Sequence, residues 1–343
     1  MTADYPLYHL RDLMYRHGRY FELDIPELTI DHSSSVGFVG PNGCGKSTLL
    51  RLLAFIEMPQ EGHIYFNGTD MGRNNTNAAK QEVTMLLQEP YLLKRSIFEN
   101  VAFGLKVRND RKEIKRRVYD VMELVGISPK IFARRKWYEL SGGEAQRIAL
   151  ASRLILKPRV LILDEPTASV DQESASLIKQ AITECRNQFG MSLVIASHDR
   201  VWLNSVTDMV KRIHEGRIAG TGTENLIPGP WEETREGLYV KKLTDGQVVH
   251  ATKPARIDST GILNPSDIVI SLTRRDDISA QNILRGFVSQ MTIEKDSDNV
   301  LIDVEVSGIQ LLCRLTKPGV EKLHLIPGKE VWAFFKASSV SWY

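Results

Sequence analysis

The sequence predicts a two-domain protein: an α/β domain with a mainly parallel sheet, followed by a small all-β domain. Three observations carry this prediction. A short apolar run, Val36–Val39, leads into a glycine-rich loop and then into apolar residues at helical spacing. Strand-like and helix-like segments alternate from there to about Ala196. From Gly237 onward the pattern changes to short alternating strands.

The composition limits the classes of function that the chain can serve. It has 343 residues, of which 42% are hydrophobic and 25% charged, with a formal net charge of +2. This near-neutral balance argues against nucleic acid as a partner, and the basic run Lys106–Arg117 is typical of a solvated helix face. The three cysteines suit a reducing compartment. With no membrane-length apolar run and no signal peptide at its start, the chain is expected to be cytoplasmic.

The glycine-rich segment matches the phosphate-binding loop pattern G-x-x-x-x-G-K-[ST]. Gly43 and Gly45 let backbone N–H groups face an anion, and the following helix points its positive end to the same place. Lys46 is expected to reach the β and γ phosphates, and Ser47 to offer its hydroxyl to Mg²⁺. The alternative is a glycine turn that carries a lysine by chance. The nucleotide-binding residues predicted here are Gly40, Pro41, Asn42, Gly43, Cys44, Gly45, Lys46, Ser47 and Thr48.

The other elements of the first domain follow from local patterns. Residues 5–35 and Gly62–Gly68 suggest strands, 71–79 a polar loop, and 96–126 helix. Beyond Leu140 we expect two strands and two helices in alternation, which favours parallel pairing. The expected strands and helices are Val83–Leu87, Glu144–Leu156, Val160–Leu163, Gln172–Phe189 and Leu193–Ala196.

Two carboxylates, Asp164 and Glu165, end the buried strand Val160–Leu163. Ligands bind outside the carboxyl ends of parallel strands. Asp164 is therefore expected to hold Mg²⁺, directly or through water, and Glu165 to orient and polarise an attacking water. The alternative, two acids that only terminate a strand, is weakened by the phosphate loop upstream.

A second anion-binding helix start is predicted at Leu140–Arg147, which reads Leu-Ser-Gly-Gly-Glu-Ala-Gln-Arg. Ser141 is expected to cap the helix, Gly142 and Gly143 to expose backbone N–H groups, and Glu144 to favour the first turn. One nucleotide does not need two such cradles from one subunit. Two subunits placed head to tail would each complete the other's site.

These motifs and their order resemble those of the ATP-binding cassette (ABC) ATPase subunits, from about residue 5 to residue 225. Leu140–Arg147 resembles the signature sequence of that family. The resemblance implies ATP and Mg²⁺ as cofactors and a homodimer of ATPase subunits. It also implies a peripheral location on the cytoplasmic side of the cell membrane, against integral-membrane permease subunits.

The resemblance assigns roles to four further residues. Tyr15 resembles the aromatic residue that stacks on adenine, with Tyr20 as a weaker candidate and a core aromatic as the alternative for both. Gln88 resembles the glutamine that senses the γ-phosphate side and also contacts the metal. Asp171, in Ala168-Ser-Val-Asp171, resembles part of the D-loop. His198 resembles the switch histidine that contacts the γ-phosphate.

The second domain resembles a molybdate- or tungstate-binding (Mop-like, TOBE) module with an OB-like fold. Asn264–Ile270 resembles the segment that introduces it, and Ser279–Gly286 and Phe335–Val340 resemble its two ends. Hydroxyls and a lysine suit a tetrahedral dianion. Gln281 stands where the family often has Arg, so a purely structural or dimerising domain remains open. The candidate oxyanion-binding residues are Ser279, Ala280, Gln281, Asn282, Lys336, Ala337 and Ser338.

The chain therefore resembles the ATPase subunit of an importer for tungstate, or next for molybdate, which takes its oxyanion from a periplasmic or extracellular binding protein through the permease. The expected domains are 1–228 for ATP binding, 229–276 as linker and start of the β domain, and 277–343 for the Mop-like module. The alternatives are an importer subunit for sulfate, sugar or another solute, and a soluble non-transport ABC ATPase. An oxyanion sensor or storage protein is a third.

Overall fold

The computed structural model describes residues 5–18, 21–72, 76–218, 224–234, 237–294 and 298–342. The chain divides into two compact units, Met1–Gly222 and Thr223–Tyr343. No helix among the described residues is both long enough and apolar enough to cross a membrane.

The first unit contains two sheets and eight helices within its described ranges. Its strands are β1 (Tyr8–His17), β2 (Phe21–Ile30), β3 (Ser35–Val39), β4 (Glu61–Phe66), β5 (Thr69–Asp70), β6 (Val83–Leu86), β7 (Val160–Asp164), β8 (Ser192–Ala196), β9 (Met209–His214) and β10 (Arg217–Ile218). Its helices are α1 (Lys46–Leu53), α2 (Thr76–Glu82), α3 (Ile97–Val107), α4 (Ile114–Leu124), α5 (Pro129–Phe132), α6 (Gly142–Leu154), α7 (Gln172–Phe189) and α8 (Arg200–Val206).

The larger sheet has the strand order β10-β9-β3-β8-β7-β6, and all its pairs are parallel except β10 with β9. The smaller sheet, β2-β1-β4-β5, is antiparallel. Every residue of β3, β6, β7 and β8 is buried. Strands that are covered on both faces need apolar side chains at successive positions, which explains their unbroken apolar runs.

Alternate side chains of the central strands enter two different hydrophobic cores. Leu161 and Leu163 of β7 pack with α3, α4, α6 and α7, whereas Val160 and Ile162 pack with α1 and the antiparallel sheet. This follows from the two-residue repeat of a strand. Because the strands are parallel, the segments that follow β3, β6, β7 and β8 emerge at one edge of the sheet.

Helix α7 has the bounds that the sequence predicts, because both of its ends carry local signals. The Asp171 carboxylate accepts a hydrogen bond from Ser174 N at 2.7 Å, and Gly190 follows the last residue with φ 63°. Three short helices, α2, α5 and α8, were not predicted. Helix α2 begins inside the expected polar loop 71–79 and buries only Thr76 and Ala79, too few residues to show an apolar period. Helix α8 is similarly short.

The second unit is almost entirely antiparallel β structure, as predicted. Its strands are β11 (Asn225–Ile227), β12 (Glu232–Glu233), β13 (Tyr239–Lys242), β14 (Val248–Ala251), β15 (Gly261–Leu263), β16 (Val269–Ser271), β17 (Asn282–Ile293), β18 (Asn299–Val306), β19 (Ile309–Thr316), β20 (Glu330–Phe335) and β21 (Val340–Trp342), and its helix is α9 (Lys317–Lys322). They form the sheets β11-β15-β21, β12-β13-β14 and β16-β20-β17-β18-β19 around one core.

The boundary between the units lies earlier in the chain than the sequence suggested. Strand β11, which falls inside the expected range 1–228, pairs with β15 and so belongs to the second unit. The range 229–276, expected to be partly a linker, carries β12 to β16 and contributes to all three sheets. Both differences from the sequence prediction arise because strands pair with segments far away in the chain, and local composition does not reveal such pairing.

Asn225 ties β11 to the middle of the second unit. Its buried amide donates from Nδ2 to the carbonyl oxygens of Leu263 (3.3 Å) and Leu312 (2.8 Å), and its Oδ1 accepts from Leu312 N at 2.5 Å. The side chain therefore joins β15 to β19 through β11. Buried polar groups that lose such partners remain unpaired, because water cannot reach them.

Replacing Asn225 with Leu should lower the stability of the chain by about 1–3 kcal/mol for each backbone group left unpaired. Urea unfolding followed by circular dichroism measures this change. Gln310→Ala, an exposed position on the neighbouring strand β19, is the matched control and should stay within about 0.5 kcal/mol of wild type. Equal unfolding midpoints for the two variants would contradict the proposed role of Asn225.

Candidate functional site

The glycine-rich loop connects β3 to α1 at the edge of the parallel sheet. Gly43 and Gly45 have φ angles of 79° and 110°, a left-handed backbone that favours glycine. Pro41 and Asn42 are exposed, whereas Cys44 packs its thiol into the core, where burial raises the pKa of the thiol. Only the backbone of Cys44 is therefore presented to the loop.

Lys46, the first residue of α1, folds back across this loop. Its side chain is 6% exposed, and its Nζ donates to the carbonyl oxygens of Gly40 (2.8 Å) and Pro41 (3.1 Å). A buried ammonium group needs such acceptors or an anion. The loop thus holds a positive charge at the entrance of α1, where the helix dipole adds to it.

A cavity of about 550 Å³ lies above the loop. It brings together residues from four separate parts of the sequence, as the shared edge of the sheet requires. Arg51, one turn beyond the loop on α1, also lines it and was not among the predicted site residues. The lining residues are Asn42, Gly43, Gly45, Lys46, Ser47, Thr48, Arg51, Gln88, Glu165 and His198.

Asp164 is the last residue of β7 and lies beside Ser47. Burial raises the pKa of its carboxyl group, while a hydrogen bond from the Ser47 side chain acts in the opposite direction. The carboxylate is 4% exposed, and its Oδ1 has no hydrogen-bond partner among the described residues. A buried carboxylate oxygen without a partner, next to a serine hydroxyl, fits a hard cation such as Mg²⁺, which prefers oxygen ligands.

Glu165 has an unusual backbone conformation, with φ 46°. Its N–H donates to Ala196 O at 2.8 Å, which ties it to the end of β8. Its Oε2 accepts a hydrogen bond from His198 N at 3.2 Å and lies 2.8 Å from His198 Nδ1. The carboxylate is buried, whereas the His198 side chain is 65% exposed. Glu165 and His198, two of the three predicted catalytic residues, are therefore in direct contact.

Gln88 follows β6 and faces the same cavity. The strand before it is held by α6, because Arg153 Nε donates to Met85 O at 2.9 Å. The loop after it is held by Asn100, whose buried amide bonds to both the N–H and the carbonyl of Leu93. Gln88 thus lies on a segment that is anchored on both sides.

The signature-like segment forms a second cluster of predicted residues. Ser141 caps α6 and Glu144 bonds back to Ser141 N at 2.7 Å, which completes a capping box. Asp171 lies close by, and the Ser174 N–H lowers the pKa of its carboxyl group. None of Ser141, Gly142, Gly143, Glu144 and Asp171 is among the described residues that line the cavity above the loop.

Tyr15 lies on β1, half-buried against the core that also contains α1. It is not one of the described residues lining the cavity. The Glu57 carboxylate raises the pKa of the Tyr15 hydroxyl. Tyr20, the weaker candidate, lies outside the described residues.

The two predicted oxyanion-binding segments of the second unit lie next to each other, because Asn282 pairs with Phe335. Asn282 is fully buried, and its amide bonds to both the N–H (2.6 Å) and the carbonyl (2.9 Å) of His250. This position argues against a contact between Asn282 and an oxyanion. Gln281, which stands where the resembling family often has Arg, accepts a hydrogen bond on Oε1 from Ala337 N at 3.0 Å. The Ala337 N–H is therefore already engaged by this side chain. Ser279, Lys336 and Ser338 are exposed, and Ala280 is half-buried.

Comparison with protein families matches residues 23–168 to the ABC transporter family and residues 278–341 to the TOBE domain. The first range contains the loop, Gln88, the signature-like segment and both carboxylates. The second contains both predicted oxyanion-binding segments.

Curated relatives extend these matches. The chain is 38% identical over 197 residues to the tungstate uptake system ATP-binding protein TupC of Peptoclostridium acidaminophilum, with coverage of 57% of the chain and 89% of the relative. It is 29% identical over 338 residues to the molybdate/tungstate import ATP-binding protein WtpC of Pyrococcus abyssi, with coverage of 94% and 96%.

Importers of other solutes are similar as well. The Fe(3+) ions import ATP-binding protein FbpC of Escherichia coli K12 is 30% identical over 321 residues, with coverage of 88% of the chain and 91% of the relative. A spermidine/putrescine import ATP-binding protein, PotA of Legionella pneumophila, is 33% identical over 237 residues, with coverage of 68% and 63%.

Solved structures match a little under two thirds of the chain. CbiO1 of Clostridium perfringens, part of the ABC transporter complex cbiONQ, has a TM-score of 0.56 at 28% identity and covers 63% of the chain and 88% of that structure. The dimeric bacterial ABC transporter cassette MJ0796 has a TM-score of 0.57 at 22% identity, with coverage of 62% and 96%, and supports the fold alone.

Gly143 packs more tightly than its neighbour, which gives a direct test of the signature-like segment. A Cβ at Gly143 would lie 2.5 Å from Ser174 Oγ and 3.2 Å from Ser174 Cβ, whereas a Cβ at Gly142 would meet only Ser169 O at 3.6 Å. Gly143→Ala should therefore lower stability by about 1–3 kcal/mol. The control Gly142→Ala should not lower it, because Ala favours a helix more than Gly does. Calorimetric melting temperatures compare the two, and equal values would refute the close contact.

Proposed function

We propose that this chain, which belongs to the ABC transporter family of ATP-binding proteins, is the ATP-hydrolysing subunit of a tungstate importer. Import proteins of this family couple ATP hydrolysis to uptake, and this chain is an ATPase of that kind. The observation that carries the catalytic assignment is the meeting of Lys46, Gln88, Glu165 and His198 around one cavity. The assignment of tungstate as the transported ion rests on the named relatives.

ATP phosphates would occupy the cavity above the loop. The loop amides and Lys46, now bonded to two carbonyl oxygens, would turn to the phosphate oxygens. Ser47, Asp164 and Gln88 would hold Mg²⁺, which when bound neutralises charge on the β and γ phosphates. Tyr15 would stack on the adenine ring.

Glu165 would orient and polarise the water that attacks the γ-phosphate. Its buried carboxylate is held by the backbone N–H of His198, so it cannot turn away from the cavity without losing that bond. The exposed His198 ring, in contact with the same oxygen, would sense the γ-phosphate. Hydrolysis then depends on two residues that β7 and β8 bring together.

The signature-like cluster lies apart from this cavity and would serve a second copy of the chain. Its capped helix start, with Ser141, Gly142 and Gly143, would offer backbone N–H groups to an anion, and none of these three described residues lines the cavity above the loop. Two subunits arranged head to tail would enclose two ATP molecules. We propose that this homodimer attaches to permease subunits on the cytoplasmic side of the membrane. The permease would in turn receive the oxyanion from an external binding protein.

Tungstate is preferred as the transported ion because the tungstate uptake protein is the most identical of the relatives described above, at 38%. The molybdate/tungstate import protein adds support, because it matches the chain over both units. Molybdate is therefore the second candidate. Iron and polyamine importers share 29–35% identity with the chain, so they are the remaining candidates. A non-transport ABC ATPase is disfavoured, because the relatives that cover both units are import proteins.

Replacing Glu165 with Gln should reduce ATP hydrolysis by about 100-fold or more while leaving ATP binding intact, because the change removes only the group that polarises water. Phosphate release measures hydrolysis, and size-exclusion chromatography with ATP should show the variant accumulating as a dimer. Glu173→Gln, an exposed acid in the first turn of α7, is the control. Wild-type turnover in the Glu165 variant would refute its assignment.

Loss of this chain should lower cellular tungsten and leave iron and polyamines unchanged. The measurement compares a deletion strain of the native host, grown with limiting tungstate, with the same strain carrying the wild-type or the Lys46→Ala gene. Elemental analysis by mass spectrometry reports tungsten, molybdenum and iron, and chromatography reports polyamines. Only the wild-type gene should restore tungsten. A fall in iron or polyamine alone would reject tungstate as the solute without affecting the ATPase assignment.

A further inference from the structure

Helix α6 passes directly beside the segment that follows Glu165. Gln146, in the second turn of α6, is 3% exposed, and its Nε2 donates to Pro166 O at 3.2 Å. Pro166 is buried as well, so water cannot replace this bond if the Gln146 amide is lost. The signature-like segment is therefore joined to the backbone next to the proposed catalytic carboxylate.

The backbone of Glu165 needs support from its surroundings, because its left-handed conformation, with φ 46°, is unfavourable for a residue with a side chain. The Glu165 N–H donates to Ala196 O at 2.8 Å, and Glu165 O accepts from Ala168 N at 3.2 Å. The hydrogen bond from Gln146 holds the next carbonyl along the chain. The direction of the Glu165 carboxylate therefore depends on contacts on both sides of it.

The start of α6 also lies close to the end of the loop that leads from Glu165 to α7. A Cβ at Gly143 would lie only 2.5 Å from Ser174 Oγ, so the helix and the start of α7 leave no space between them at this point. Of the two contacts, the Gln146 hydrogen bond is the one that meets the residue next to Glu165. A change at Gln146 should therefore reach Glu165 without opening the contact at Gly143.

We propose that Gln146 is a positioning residue for Glu165, which holds the backbone after Glu165 against α6 and so directs the carboxylate to the attacking water. This inference rests on the proposed ATP hydrolysis and deepens it, because Gln146 had no assigned part in the reaction. Helix α6 then has two tasks: its start serves the nucleotide of a second copy, and Gln146 supports the carboxylate of its own subunit. Gln146 acts through the Glu165 backbone and touches neither ATP nor water.

The kinetics of ATP hydrolysis by the full-length chain test this role. Gln146→Met keeps the length of the side chain and its helix preference but removes the N–H donor. We expect kcat to fall about 10- to 100-fold, because a small displacement of a catalytic group has an effect of this size. KM for ATP should stay unchanged, because the phosphate loop is untouched. Ser152→Ala is the matched control: it removes a buried hydrogen bond of the same helix, from Ser152 Oγ to Ile148 O at 2.9 Å, and should retain wild-type kcat.

Dimer formation with ATP separates support of Glu165 from damage to the start of α6. In the Glu165→Gln background, Gln146→Met should form as much ATP-bound dimer in size-exclusion chromatography as Glu165→Gln alone. Loss of that dimer would overturn the proposal, as would wild-type kcat in Gln146→Met or an equal fall of kcat in Ser152→Ala. If Gln146→Met does not fold, Gln146→Asn, whose amide is one methylene too short to reach Pro166 O, decides by the same measurements. A wild-type chain without ATP hydrolysis would instead refute the proposed function.

Discussion

Leu163 on β7 pairs with Leu86 on one side and with Ile195 on the other, and Ile195 in turn pairs with Gly37. These four residues belong to four strands that all run in the same direction. Parallel hydrogen bonding across this row makes the strands end at one edge, so the segments after them have to meet there. The phosphate loop, Gln88, Glu165 and His198 come from positions up to about 160 residues apart, and they share a cavity because of this common edge.

The buried charged groups at and beside the cavity serve function rather than the stability of the fold. Asp164 is buried with one oxygen unpaired, and Lys46 is buried with only carbonyl oxygens for partners. Groups of this kind cost stability in the absence of a ligand, since burial disfavours their charged forms. A bound nucleotide with its metal ion would supply both missing partners at once. Glu165, with its left-handed backbone, adds local strain at the same place. The continuous apolar strands on either side offset these costs.

The second unit illustrates how a matching motif and a working site differ. The β17–β20 pairing brings Gln281 and Ala337 together, as the pattern of the module requires. Within that framework, Gln281 Oε1 accepts a hydrogen bond from Ala337 N, and the Asn282 amide is hydrogen-bonded to the backbone of β14. An oxyanion would have to displace Gln281 to reach that amide. The binding of oxyanion by this unit therefore stays a prediction, while its contribution to the fold is clear from the shared core.

The sequence by itself determined the features that depend on neighbouring residues. The phosphate loop, the cap at Ser141, the bounds of α7 and the β structure beyond Gly237 all follow from backbone preferences and apolar periods within a few residues. The tertiary structure alone decided which distant residues meet. Strand β11 joined the second unit through Asn225, Asn282 was buried, and Glu165 came into contact with His198. Local patterns cannot reveal such neighbours, because strand pairing over long separations creates them.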